Sequence, residues 1–87
     1  MAYNMTIKER MNILYKIVSY LYDYRCETNE GVCGILINKI KELAAEYFEP
    51  EFLGVMMKDG DLEFIDQIEH FAFEFLEYQI SNLPSHL

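Results

Sequence analysis

Apolar residues recur every three or four positions along most of the chain, the spacing of one face of an α-helix. The clearest run is the last: Phe64, Ile68, Phe71, Phe75 and Tyr78, broadened by Ile65, Ala72, Leu76 and Leu83. Opposite it stand Glu63, Asp66, Glu74 and Glu77, with His70 among them. The pattern predicts a helix capped by Asp61, stopping before Pro84, with one apolar and one anionic side. Near the start, Ile7, Met11, Leu14, Val18 and Leu21 step by four, three, four and three, flanked by Tyr15, Ile17 and Tyr22. Lys8, Glu9, Asn12, Lys16, Ser19 and Asp23 fall opposite. Thr6 and Glu9 have the form of a capping box, which predicts a helix over 7–24. A polar connector, 25–31, offers Thr28 or Asn29 as the next cap. A second amphipathic helix follows over 32–48, built on Val32, Cys33, Leu36, Ile37, Ile40, Leu43, Ala44, Tyr47 and Phe48 and ended by Pro50. Ile35 falls off its stripe.

Segment 50–60 admits two readings. In the favoured one, Pro50 takes the first helical position, Phe52, Leu53, Val55, Met56 and Met57 make a short helix, and Gly60 supplies a left-handed stop. In the other, Asp59-Gly60 is the turn of a β-hairpin, which makes the fold α+β. The expected architecture is therefore all-α, a small antiparallel bundle of three long helices plus a short one, with α+β as the alternative. Its expected core is Met11, Leu14, Val18, Leu21, Leu36, Ile40, Leu43, Tyr47, Phe64, Ile68, Phe71 and Phe75.

At 87 residues the chain is expected to be one domain, 1–87, with 1–5 and 84–87 as frayed ends. A hydrophobic content of 52% supplies a core and argues against disorder. Charge changes the picture more. Residues 1–41 hold six bases and four acids; residues 42–87 hold eleven acids and one base, Lys58. The total is −8. Such a layout argues against direct nucleic-acid binding, which needs a basic footprint, and against anionic membrane surfaces. No apolar run approaches a membrane span, and the first residues lack the apolar stretch of a signal peptide. A cytoplasmic setting follows as the expectation. Two cysteines, Cys26 and Cys33, make neither a zinc site nor a disulfide framework, although a local bridge between them stays open.

The candidate chemistry is sparse. His70 has Asp66 and Glu74 one turn away on either side, but no second His joins them and Gln67 stands where a Glu-x-x-His pair needs Glu. A solvated helix face explains the trio better than a metal site. A calcium loop starting at Asp59 would put Phe64 and His70 where Gly and Glu are needed. An acyl carrier protein needs a serine in Asp-Ser-Leu, and Gly60-Asp61-Leu62 has no hydroxyl. Cys33 falls on an apolar stripe, where an inert thiol is common, and no phosphate loop or nucleophile elbow occurs. The reading is a non-enzyme without cofactor or metal.

What remains is an anionic surface with aromatic neighbours. In size, helicity and charge the chain resembles the broad class of small acidic inhibitors, such as bacteriocin or contact-toxin immunity proteins and phage-encoded inhibitors of host nucleases. The resemblance implies docking on a basic protein partner, a nuclease or toxin, as a mimic of nucleic acid. Glu63, Asp66, Glu74 and Glu77 would supply the charge and Tyr20 or Tyr24 an edge anchor. Two alternatives are kept: a self-associating module sealed by Ile13, Tyr20 and Ile35, making a homo-oligomer, and a small-ligand protein with a pocket of Phe71, Phe73, Phe75 and Tyr78.

Overall fold

A computed structural model describes residues 5–81, with side-chain surroundings through residue 77. Four helices follow one another: α1 (Ile7–Cys26), α2 (Glu30–Tyr47), α3 (Pro50–Met57) and α4 (Asp61–Ser81). No strand occurs among the described residues, so the all-α reading holds and the hairpin at Asp59-Gly60 does not form. The frayed ends apart from Met5, together with Leu83 and the side chain of Tyr78, lie outside this description.

The helix ends follow from local chemistry. Thr6 is extended, and its Oγ1 accepts from the Glu9 amide at 3.1 Å. α1 runs two residues past its predicted end, because Arg25 and Cys26 carry no stop signal. Asn29 caps α2, its Oδ1 accepting from the Val32 amide at 3.1 Å, so that helix begins at Glu30 and not at Val32. Between them the Glu27 carboxylate accepts from the amides of Thr28 and Asn29 at 3.2 and 3.4 Å. Pro50 opens α3 as expected, where its missing N–H leaves no partner wanting.

Gly60 has φ 98, a conformation that favours glycine. Its carbonyl accepts from the Phe64 amide at 3.0 Å. Gly60 therefore occupies the position just before α4, and Asp61, expected to be the cap, is already the first helical residue. There its carboxylate faces the positive end of the helix dipole.

α1 is the central helix, packed against α2 on one side and α4 on the other, while α3 packs mainly on α4. α1 and α2 run antiparallel: Glu46, near the end of α2, lies beside Met5, Glu9 and Ile13, whereas Lys39 lies beside Lys16 and Tyr20. The core is Leu14, Ile17, Leu21, Ile37, Ile40, Ala44, Tyr47, Phe48, Met56, Phe64, Ile65, Ile68 and Ala72. This differs from the expected set by a partial rotation of each helix. Ile17, Ile37 and Ala44 are buried, while Val18, Leu36 and Leu43 are only partly so. Met11, Phe71 and Phe75 also sit at the core's edge. The physical reason is visible in Ala44 and Ala72, both fully buried. Small side chains let backbones approach, so each helix turns toward its alanine and away from the bulkier neighbours on the same stripe. Because α1 has two partners, its apolar arc is also wide. Ile13, Tyr20 and Tyr24, off its main stripe, pack against the core, whereas Tyr15 and Tyr22 stand exposed.

An aromatic cluster joins three helices at the α2–α3 corner. Tyr47 meets Phe48, Phe71 and Phe75 edge-on, with ring centroids 4.8, 5.8 and 6.4 Å apart. Phe48 also meets Phe71 at 4.8 Å and Phe52 at 5.3 Å. Edge-to-face pairs add about 0.5–1.5 kcal/mol each beyond burial, so this corner fixes α4 against the turn between α2 and α3. Burial raises the pKa of the Tyr47 hydroxyl; nearby Arg10 offsets part of that shift.

Candidate partner-binding face

The acidic stripe is built by helical spacing. Glu63, Asp66, His70, Glu74 and Glu77 are separated by three, four, four and three residues, and all five are exposed on the outer side of α4. On the inner side of the same helix Phe64, Ile65, Ile68 and Ala72 are buried.

The five are not equivalent. Asp66 Oδ1 lies 3.1 Å from Nη2 of Arg25, and the same guanidinium holds Glu69 through Nη2 and Nε at 3.2 and 3.3 Å. These bonds, Glu69 first and Asp66 second, raise the Arg25 pKa further above its ordinary value. Arg25 also lies 5.8 Å from the centre of the Tyr24 ring. A second bridge joins Lys41 to Asp61 at 2.8 Å. Part of the charge asymmetry is thus compensated within the molecule: bases from α1 and α2 hold acids in the first half of α4. His70 Nε2 sits 3.3 Å from Glu74 Oε1 and takes no part in a trio with Asp66. Glu63 and Glu77 make no ion pair among the described residues.

The tyrosines separate. Tyr24 borders the Arg25 cluster and so adjoins the stripe. Tyr20 lies elsewhere, in the groove between α1 and α2 with Lys16, Lys39, Glu42 and Glu46. Of the expected aromatic pocket, Phe71 and Phe75 turn to Tyr47 and Phe73 is 51% exposed, while the side chain of Tyr78 lies outside the described residues. Ile13 and Tyr20 are engaged by the core, which leaves Ile35, 59% exposed, as the free member of the expected self-association patch.

One feature escaped the sequence. Between α3 and α4 lies an open groove of about 340 Å³, lined by Phe52, Met56, Asp66, Gln67, His70, Phe71 and Glu74. It runs along the acidic stripe and has an apolar floor. The i, i+4 pair Phe52 and Met56 was the available signal, but nothing in the sequence shows which helix faces it.

Among the described residues no group of three or more His, Cys, Asp or Glu side chains is placed to hold a metal ion, and none of the helices is long and apolar enough to cross a membrane. Cys26 and Cys33 are free thiols. No protein-family model matches the chain, and comparison with curated proteins and with solved structures gives no significant match.

Proposed function

We propose that the protein is a small acidic inhibitor that sets the outer face of α4 on a basic surface of a nucleic-acid-acting protein. The observation that carries this reading is the alignment of Glu63, Glu74 and Glu77, exposed on one helix with no lysine or arginine set against them among the described residues. Such a face complements a surface built for phosphates and speeds encounter with it. Its strength falls with salt, because exposed charges are screened over ~8–10 Å at physiological ionic strength.

The test is capture of a partner from the source cell, followed by a salt titration of the complex. The expected result is a basic partner whose affinity drops steeply with salt and is lost in Glu63→Lys plus Glu74→Lys. An affinity indifferent to both counts against the reading. Self-association is the second reading, favoured by the exposed pair Val32 and Ile35 one turn apart on α2. A strict monomer in sedimentation at several concentrations excludes it.

A further inference from the structure

We propose that the groove between α3 and α4 receives a basic amphipathic helix of the partner, with an apolar side chain in the groove and a Lys or Arg one turn away on its rim. The inference rests on the inhibitor reading and names the contact it lacks, since charge alone gives rate and register more than affinity.

The floor is apolar, and Phe52 and Phe71 are its accessible part. Phe52 is 47% exposed, Phe71 is half-buried, and Met56 lies beneath them with 2% exposure. Methionine adapts its shape to varied apolar partners. Asp66 and Glu74 stand on the rim, and no Lys or Arg lines the groove. Arg25 already holds Asp66; Glu74 lies 3.3 Å from His70 Nε2 but has no Lys or Arg against it, so it is the rim carboxylate for an incoming cation. About 340 Å³ is near the low end of the roughly 300–1,000 Å³ of small-molecule sites, a size that suits one or two side chains. Helix-in-groove recognition joins these parts: apolar anchors fill the groove and flanking charges set the register. A second copy of this chain is a poor occupant, because it brings a charge of −8 to an acidic rim.

The experiment titrates the protein with three synthetic peptides while following the Met56 methyl signal by NMR. The first is an amphipathic helix with Leu on one face and Lys on the other. The second is its scrambled isomer, and the third carries Glu in place of Lys. The expected result is a Met56 shift with the first peptide only. Phe52→Ala should then weaken binding about tenfold, equivalent to about 1.4 kcal/mol. Phe73→Ala, equally exposed but outside the groove, should leave binding unchanged. No Met56 shift with the first peptide overturns the proposal. So does equal binding of the scrambled isomer, or a Phe52→Ala variant that binds as wild type. If binding in those cases still falls with Glu63→Lys plus Glu74→Lys, the acidic-face reading survives without the groove. Equal binding of the Glu peptide overturns both.

Discussion

Lys41 Nζ lies 2.8 Å from Asp61 Oδ1, tying the second half of α2 to the first turn of α4. Both side chains retain solvent contact, at 28% and 56% exposure, so the pair is a surface bridge with a contribution of ~0–1 kcal/mol. A double-mutant cycle with Lys41→Ala and Asp61→Ala should give a coupling energy inside that range. It should shrink further in molar salt. A salt-insensitive coupling well above it would mean that the pair is shielded more than its exposure indicates.

Leu62 and Phe64 test the rotation of α4. Phe64 is fully buried and Leu62 is 71% exposed. Phe64→Ala should cost about 3–5 kcal/mol, and Leu62→Ala no more than about 0.5 kcal/mol. Urea denaturation of the two variants reads the contrast directly.

The glycines divide in the same way. Nothing lies within 4 Å of a Cβ built on either Gly34 or Gly60, yet only Gly60 has positive φ. Gly34→Ala, inside α2, should stabilise by about 0.5–1 kcal/mol. Gly60→Ala should destabilise by about 1–2 kcal/mol, because a Cβ clashes with its own backbone in the left-handed region. Thermal melts showing the same sign for both would contradict this geometry.

Tyr47 sets an alkaline limit. Burial, partly offset by Arg10, raises its folded-state pKa above the unfolded value near 10. Its stabilising effect is fully present below the unfolded pKa and is lost as pH rises through the folded one, because the unfolded chain ionises first. Wild type should lose stability above about pH 10 faster than Tyr47→Phe. Denaturation between pH 8 and pH 12 checks it; parallel curves would remove Tyr47 as the cause.

Charge reversal along α4 should depend on position. Glu63 sits in the first turn, where a carboxylate is favoured by about 0.3–1 kcal/mol. Glu63→Lys should therefore destabilise mildly even as it relieves repulsion. Glu77→Lys, nearer the other end of the helix, should be neutral or mildly stabilising. Melting at low ionic strength compares them.

Helix number and order were legible because they depend on local signals: Thr6, Asn29, Pro50 and Gly60 act over three or four residues. The face each helix presents was less legible. Ile17 and Val18 are equally apolar, and only the placement of α2 and α4 around α1 decides between them. The acidic stripe could be read from spacing alone. The capture of Asp66 by Arg25 could not, since 41 residues separate the two and neither carries a mark of the other. The groove was hidden for the same reason, being made by two helices whose relative placement no local pattern encodes.

The guanidinium that grips Asp66 and Glu69 is also a rival to any incoming cation. A target reaching for those oxygens must evict a tenant already in place, which lowers its apparent affinity. Emptying the seat with Arg25→Ala should therefore tighten the complex even as it loosens the protein alone, and weaker capture by that variant would show that the tenancy itself shapes the contact.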